Sequence, residues 1–386
     1  MSETIVIDAL DAETLDRAAG FLLTNLGREV SVRFSDVPCC PQFVVPLFAL
    51  VDHYRTKGMK IALSFPQGSA IEQTFTRNDP KFPMGRVHRF ASLEEYLEIF
   101  KRVQVEILKL PNPGQGFRVA FEWCISEVMD NVIQHSGVST GYFMIRYIPE
   151  KRLLKTSVFD LGRGIFDSFK GSKFSPSDAE EALRLAVRPN VTSGNGQGNG
   201  LYGLREIVKQ SRDGRLFISS GGAEYTLARR GASGEPVEST KKSRCLPGFP
   251  GATLVDFQVV PDDALSIDRV FDDAMPSTDV WLEDHELDAH TVSVRILEIV
   301  PGTVSREFGR EMRQVVENLV DNEHKRVLID FSGVDMCSSA FVDELVGKLL
   351  VKYQFVDFSR MIGFRSLKGL PVLLINHSIK QRLTEM

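Results

Sequence analysis

Three side chains that could take part in chemistry stand four residues apart in the segment FEWCISEVMDNVIQHSG (residues 121–137): Glu127, Asn131 and His135. Four residues is about one helical turn, so a helix would place all three along one stripe, beside an apolar stripe facing a core. An amide oxygen suits Mg²⁺, and a carboxylate one turn away could deprotonate a water or a hydroxyl. The spacing therefore predicts Glu127 as a general base and Asn131 as a metal ligand, with His135 closing the helix.

A second cluster follows a predicted strand, in the segment VFDLGRGI (residues 158–165). Asp160 ends the strand, and Gly162 and Gly164 come two and four residues later. Glycine allows a sharp bend and the close approach of a flat ligand. A buried carboxylate at such a bend could accept a hydrogen bond from an exocyclic amine, such as N6 of adenine. This cluster predicts a binding site for adenine.

A third cluster is the glycine-rich run SGNGQGNGLYG (residues 193–203), which leads into a helical pattern. Backbone N–H groups at a glycine-rich helix start, together with the helix dipole, favour phosphate groups. The predicted phosphate-side residues are Gly196, Gly198, Gly200, Leu201 and Gly203. Further along, Thr253 begins a predicted strand in the segment GATLVDFQV (residues 251–259) and completes the set.

The elements around these clusters form a central block over residues 111–260, flanked by two similar strand–helix patterns. The segments before residue 67 and after residue 290 each read strand, helix, strand, helix, strand, and the last strand is predicted in PVLLIN (residues 371–376). The text FSDVPCC (34–40) also aligns with FSGVDMC (331–337). The predicted divisions are a flank at 1–85, a linker helix at 86–110, the block at 111–260, an acidic linker at 261–290 and a flank at 291–386.

Four motifs in this order resemble the GHKL ATPase fold, the superfamily of gyrase, histidine kinases and anti-sigma serine kinases. They are E-x-x-x-N at Glu127, D-x-G-x-G at Asp160, G-x-G-L-x-G-L at Gly198 and G-x-T at Gly251. The resemblance covers about residues 115–260 and implies bound ATP and Mg²⁺. It implies a sandwich of a mixed sheet and a helix layer, with His135 among the nucleotide-binding residues. An insertion at about residues 228–248 departs from the family pattern.

The C-terminal flank resembles a STAS-like domain, the fold of anti-anti-sigma factors, through the segment DFSGVDMCSSAF (residues 330–341). The resemblance implies that Ser339 is a phosphoacceptor. A helix N-cap is the alternative interpretation, because serine is favoured at that position. The N-terminal flank has Pro41 and Gln42 in the matching place and is interpreted as a degenerate STAS-like unit. The predicted fold class is thus α/β, with a GHKL-type core and two small βαβαβ domains.

The amino-acid composition argues against several other classes of protein. The chain is 43% hydrophobic and 25% charged, with a net charge of −5, so a broad nucleic-acid surface is not expected. No apolar run approaches the roughly 18 residues of a membrane span, and the acidic N-terminus predicts a cytoplasmic location. The five cysteines form no C-x-x-C pair and are interpreted as reduced thiols rather than zinc ligands.

These features favour an ATP- and Mg²⁺-binding regulatory switch that hydrolyses ATP or phosphorylates serine and is coupled to its STAS-like domains. An ATP-gated dimer clamp and a non-catalytic nucleotide-sensing scaffold are the alternatives. The expected partners are ATP and a STAS-domain or sigma/anti-sigma-like regulatory protein, with homodimerisation left open. The sequence does not separate hydrolysis from phosphotransfer, because the same base serves a water or a serine hydroxyl.

Overall fold

A computed structural model describes residues 3–76, 83–189, 191, 200–229, 234–267, 269–270 and 280–385. The chain forms two compact units. The first comprises Met1–Phe100 and Val119–Thr278, and the second comprises Lys101–Arg118 and Asp279–Met386. Each unit is mixed α/β, as the sequence predicts.

The first unit begins with a small parallel sheet in the order β1-β2-β3. Its elements are β1 (Glu3–Ile7), α1 (Ala12–Thr24), β2 (Val30–Phe34), α2 (Pro41–Thr56), β3 (Ile61–Ser64) and α3 (Ala70–Thr76). The strand β2 alternates buried and outward residues, as a half-buried strand should. The side chain of Asp11 caps α1 by accepting a hydrogen bond from the N–H of Thr14 at 2.8 Å, and α2 starts at Pro41, where the missing N–H is harmless.

The larger sheet of this unit has seven strands, in the order β4-β5-β6-β10-β7-β8-β9. Its strands are β4 (His88–Phe90), β5 (Gly141–Ile148), β6 (Leu153–Asp160), β7 (Arg215–Ser220), β8 (Ala223–Ala228), β9 (Val237–Lys242) and β10 (Thr253–Val259). Every neighbouring pair is antiparallel, so the prediction of a mixed sheet is wrong for this sheet. Tight turns, such as Gly221-Gly222 between β7 and β8, join several neighbours directly, and such hairpins require antiparallel strands.

The two faces of this sheet have different neighbours. Tyr142, Met144, Phe159 and Leu254 join one buried cluster with the core of the N-terminal sheet and helices. Successive strand residues point to opposite faces, so Asp160 and its cross-strand neighbours Gly141 and Thr253 lie on the opposite face. The remaining helices of the central region are α4 (Leu93–Leu108), α5 (Phe117–His135), α6 (Gly164–Ser168), α7 (Ala179–Ala186) and α8 (Gly200–Gln210).

The second unit contains a four-stranded sheet in the order β11-β12-β13-β14. The strands β12, β13 and β14 run parallel, and β11 is antiparallel to β12. The strands are β11 (Glu286–Asp288), β12 (Thr291–Arg295), β13 (Arg326–Asp330) and β14 (Ile362–Arg365). The helices are α9 (Val280–His285), α10 (Ile296–Ile299), α11 (Arg306–Asp321), α12 (Ser339–Val342), α13 (Lys348–Met361) and α14 (Leu370–Glu385), with a π-helical stretch at Asp343–Gly347.

The end of this unit differs from the prediction. The segment PVLLIN (371–376) lies in α14, and the last strand is Ile362–Arg365 instead. Among the residues of α14 whose burial is described, Pro371, Ile375 and Ser378 are the buried ones, and this spacing of four and three residues fits a helix rather than a strand. The first strand of the parallel set is the short segment Thr291–Arg295, because Ile296–Ile299 is helical.

Candidate functional site

Two of the predicted site residues, Asp160 and Thr253, meet at one end of the central strands of the seven-stranded sheet. Asp160, the last residue of β6, pairs with Gly141 on β5 and with Thr253 on β10. Thr253 in turn pairs with Ser220, the last residue of β7. The structure therefore brings Asp160 and Thr253 side by side, although 93 positions separate them in the sequence.

Asp160 is a mostly buried carboxylate at the end of β6. Its side chain is 5% exposed, and its Oδ1 accepts a hydrogen bond from the N–H of Gly162 at 2.8 Å. Within the described parts of the chain, no donor reaches the second oxygen, Oδ2. Burial raises the pKa of Asp160 to about 7, although the hydrogen bond from Gly162 opposes the rise. A carboxylate oxygen to which none of the described residues donates fits the exocyclic amine of an adenine base.

The loop after Asp160 is packed so closely that it needs glycine. A methyl group added at Gly162 would lie 2.4 Å from the carbonyl oxygen of Ser136. Gly164 has φ of +82°, which favours glycine, and a methyl group there would lie 2.8 Å from the carbonyl oxygen of Gly251. These close approaches join the end of α5, the D-x-G-x-G loop and the start of β10. They explain both glycines through protein packing.

A short hydrogen-bond chain connects the strand ends to that loop. The hydroxyl groups of Ser220 and Thr253 lie 2.9 Å apart, and the N–H of Ile165 donates to Oγ of Ser220 at 2.9 Å. Thr253 was predicted, whereas Ser220 was missed. In the sequence, Ser220 is marked only as the second of two serines before Gly221-Gly222. Its pairing with Thr253 could not be deduced from that pattern.

The predicted stripe lies on α5, as the four-residue spacing indicates. Glu127, Asn131 and His135 are all half-buried. Burial, and then the nearby charge of Asp130, raise the pKa of Glu127 above its ordinary value. A raised pKa lies closer to neutral pH, and a pKa near the working pH suits a general base.

Glu127 lies directly against the start of α8. A methyl group added at Gly200 would lie 2.5 Å from Oε2 of Glu127. Leu201 is half-buried and Gly203 is buried in the same first turn of the helix. The structure thus brings the predicted base next to the predicted phosphate-side helix. Gly196 and Gly198 lie outside the described residues.

The C-terminal end of α5 contacts the D-x-G-x-G loop through Arg163. Its Nε donates to the carbonyl oxygen of His135 at 2.8 Å, and its N–H donates to that of Ser136 at 2.8 Å. Burial, and then the charge of Arg163, lower the pKa of His135. His135 is therefore held neutral beside the loop near neutral pH. Arg163 was not among the predicted residues, because nothing in the text of the motif distinguishes it.

The hydrogen bonds at the start of α12 exclude one of the two interpretations of Ser339. Ser338, not Ser339, is the N-cap of α12, and its hydroxyl accepts a hydrogen bond from the N–H of Phe341 at 3.0 Å. Ser339 is the first residue of the helix and is exposed. The N-cap interpretation of Ser339 is therefore wrong, and its role as a phosphoacceptor stays a prediction.

Two absences apply to the described parts of the chain. No three His, Cys, Asp or Glu side chains come together there in a way that could hold a metal ion. None of the helices described above is long and apolar enough to cross a bilayer. A magnesium ion bound by Asn131 and phosphate oxygens would need no such cluster, since Mg²⁺ takes few protein ligands.

Comparison with known proteins supports one part of the resemblance. Residues 309–369 match the model of a family described as a STAS-like domain of unknown function (DUF4325). This match agrees with the STAS-like character predicted for the C-terminal flank. No curated protein matches the sequence.

Two solved structures are similar to parts of this chain. The ATPase and transducer domains of DNA topoisomerase II from Balamuthia mandrillaris share 14% identity, over 41% of this chain and 40% of that one, with a TM-score of 0.23. The topoisomerase IV ATP-binding domain of Francisella tularensis shares 16% identity, over 44% of this chain and 73% of that one, with a TM-score of 0.23. The chain thus spans about two fifths of the topoisomerase II structure. Similarities this low carry no conclusion about function.

Proposed function

We propose that the central block is a GHKL-type ATPase domain, that both flanks are STAS-like, and that the protein is an ATP- and Mg²⁺-dependent regulatory switch. The observation that carries the proposal is Asp160, a buried carboxylate at a strand end whose second oxygen has no donor among the described residues. A site of this kind selects a ligand that donates a hydrogen bond, because burying the carboxylate without one is costly. The N6 amine of adenine is such a donor.

Each predicted residue has a role in this proposal. Asp160 accepts the N6 hydrogen bond, while Gly162, Gly164 and Thr253 shape the pocket around the base. Asn131 holds Mg²⁺, which supplies neutralising charge to the phosphates, and His135 closes the end of α5 near the nucleotide. The phosphate-side residues are Gly196, Gly198, Gly200, Leu201 and Gly203.

Glu127 is the proposed general base. Its raised pKa and its contact with Gly200 support this role, because the carboxylate lies where the phosphate-side helix begins. The base would take a proton either from a water, which gives hydrolysis, or from a serine hydroxyl, which gives phosphotransfer. Ser339, exposed at the start of α12, is the proposed acceptor for phosphotransfer.

The proposed output of the switch is protein recognition by the STAS-like flanks. In the first unit, Phe159 and Leu254 pack into the N-terminal core one residue away from Asp160 and Thr253. A change at the nucleotide site could therefore reach the N-terminal flank through the sheet. The expected partner is a STAS-domain or sigma/anti-sigma-like regulator, and a cytoplasmic location is part of the proposal.

The two alternative functions, a dimer clamp and a nucleotide sensor, predict different behaviour with ATP. A dimer clamp would assemble into a homodimer only with ATP bound, and a nucleotide sensor would bind ATP without releasing phosphate. The experiment that separates them is incubation of the pure protein with Mg²⁺ and ATP labelled at the γ-phosphate. Released phosphate, protein-bound label and molecular mass are followed together.

Free phosphate without label would identify an ATPase switch. Label that is absent from Ser339→Ala would identify a serine kinase whose substrate lies in its own chain. A doubling of mass that depends on ATP would favour the clamp, and binding without turnover would favour the sensor. Failure to bind ATP would overturn the proposal.

A further inference from the structure

The insertion that departs from the GHKL pattern contributes an edge strand with one acidic side chain facing α8. This strand is β9, and it pairs with β8 so that Glu238 lies opposite Leu227. Opposite residues of an antiparallel pair share a face of the sheet, and Leu227 is buried. Glu238 therefore shares the face of Leu227, and its bonds with Arg205 show that α8 lies over this face.

Four hydrogen bonds and ion contacts converge on the Glu238 carboxylate. Arg205 of α8 donates through Nε at 3.0 Å and through Nη2 at 2.8 Å, so the pair is bidentate. Nζ of Lys209, one turn further along α8, lies 2.8 Å away, and the hydroxyl of Tyr225 donates at 2.8 Å. Bidentate arginine–carboxylate pairs combine strength with a defined geometry.

Glu238 lies at an exposed edge of the sheet, but its cluster is a network of several contacts rather than a single ion pair. The side chains of Arg205 and Glu238 are 21% and 29% exposed, so water screens them only in part. Burial alone would raise the pKa of Glu238, but the bonds from Arg205, Lys209 and Tyr225 lower it to about 2. The carboxylate is thus ionised, and its bonds to α8 are in place, at any pH near neutral.

The position of these contacts on α8 determines what they control. Arg205 and Lys209 share a stripe with Leu201, whereas Leu204, Ile207 and Val208 are buried on the side facing the core. Apolar packing holds the helix against the sheet, and the contacts to Glu238 fix its rotation about its own axis. Arg205 is only about 7.5 Å along the helix from Gly200, which touches Glu127.

We propose that Glu238 is a positioning residue for the nucleotide site: through Arg205 and Lys209 it fixes the rotation of α8 and so places Gly200 against Glu127. This inference rests on the proposed function for its consequence, because the first turn of α8 is the proposed phosphate side. The Asp160 end of the site has no link to Glu238 in the contacts described above. Loss of the Glu238 carboxylate should therefore affect phosphate recognition and leave adenine recognition unchanged.

The test is Glu238→Gln in the full-length chain, with Glu224→Gln as the matched control. Glu224 lies on neighbouring β8 and pairs with Lys241 at 3.3 Å, so its substitution removes an ion pair from the same hairpin without touching α8. Glu238→Gln should still fold, because Arg205 and Lys209 keep Glu206 as a partner within α8. Three quantities are measured: amide exchange across α8 without nucleotide, the Kd for MgATP and the Kd for adenosine.

The expected result is exchange in α8 faster by on the order of tenfold, and MgATP bound more weakly by a similar factor, in Glu238→Gln alone. Adenosine affinity should not change. Unchanged exchange in α8 would overturn the inference, and so would unchanged MgATP affinity or equal losses for MgATP and adenosine. If the wild-type protein binds no ATP, the proposed function fails, and the exchange of α8 alone decides whether Glu238 positions that helix.

A second comparison strengthens the assignment. Arg205→Met and Glu238→Gln should each weaken MgATP binding, and the double variant should be no weaker than the worse single variant, since both act through one link. Additive losses would show that the two side chains act independently and would contradict the proposed route. Arg205→Lys keeps the charge but loses the bidentate geometry, so it should give an intermediate loss.

Discussion

Replacement of Asp160 by asparagine should make the protein more stable at alkaline pH and at the same time weaken ATP binding. The carboxylate is buried beside Gly162, and burial raises its pKa to about 7 from an ordinary value of 3.8. Asparagine has nearly the same shape and can still accept the hydrogen bond from Gly162 through its amide oxygen. It lacks the negative charge and presents an N–H group where the free carboxylate oxygen stood.

The magnitude follows from the difference in pKa. A group whose pKa is higher in the folded state binds protons more tightly there, so the folded protein loses stability as pH rises from the unfolded value towards the folded one. The shift from 3.8 to about 7 spans roughly three units, which corresponds to about 4 kcal/mol when complete. Between pH 5 and pH 8.5, wild type should lose about 3 kcal/mol relative to Asp160→Asn.

The assay is urea unfolding of both proteins at several pH values, followed by tryptophan fluorescence. Both proteins carry Trp281→Phe, so that the fluorescence comes from Trp123 alone. Trp123 lies on α5 in the same unit as Asp160. Asp256, whose pKa is raised to about 6 mainly by burial, titrates in both proteins and cancels in the difference. ATP affinity of Asp160→Asn should fall by about 10- to 100-fold, the loss expected for one hydrogen bond to a charged acceptor.

A stability difference that stays constant from pH 5 to pH 8.5 would refute this reasoning, because Asp160 would then not be a buried carboxyl with a raised pKa. A variant that gains stability at alkaline pH but binds ATP normally would keep the electrostatics and remove Asp160 from the nucleotide site. The two results together therefore separate burial from ligand recognition.

Three further predictions concern named contacts. Gly200→Ala should weaken nucleotide binding or turnover, because its methyl group would lie 2.5 Å from Oε2 of Glu127. The control Gly20→Ala lies in an open part of α1 and should stabilise the folded protein by about 0.5–1 kcal/mol. Equal effects of the two variants on ATP binding, measured by calorimetry, would contradict the contact between Gly200 and Glu127. Glu127→Gln should keep ATP affinity but lose phosphate release or transfer in the labelled-ATP assay, and persistent turnover would place the base elsewhere. Ser338→Ala should cost about 1 kcal/mol in urea unfolding through loss of the N-cap, while Ser339→Ala should cost little, so a reversed order would contradict the capping assignment.

The sequence was most informative where a pattern is local. The spacing of Glu127, Asn131 and His135 predicted one helical stripe, and α5 carries it. The alternation of apolar and polar residues in VSVRF (30–34) likewise fits the strand β2. The last strand was misplaced, because an apolar segment such as PVLLIN suits a strand or a helix equally well until its buried partners are known.

Contacts between distant segments were beyond the sequence. Ser220 joins the site through pairing with Thr253, and Glu238 reaches α8 only because β9 forms an edge strand. Neither residue stands in a motif, so only the folded sheet reveals them. The antiparallel order of the seven strands is of the same kind, since strand pairing depends on tertiary contacts rather than on local propensity.

The most direct test of the central claim is calorimetric titration of the wild-type protein with MgATP and with MgGTP. Asp160 offers an oxygen acceptor to the base, and adenine presents an amine there, whereas guanine presents a carbonyl oxygen. The account predicts that ATP binds and that GTP binds at least about tenfold more weakly, with the preference lost in Asp160→Asn. Equal affinity for the two nucleotides, or no heat with either, would contradict an adenine site at Asp160.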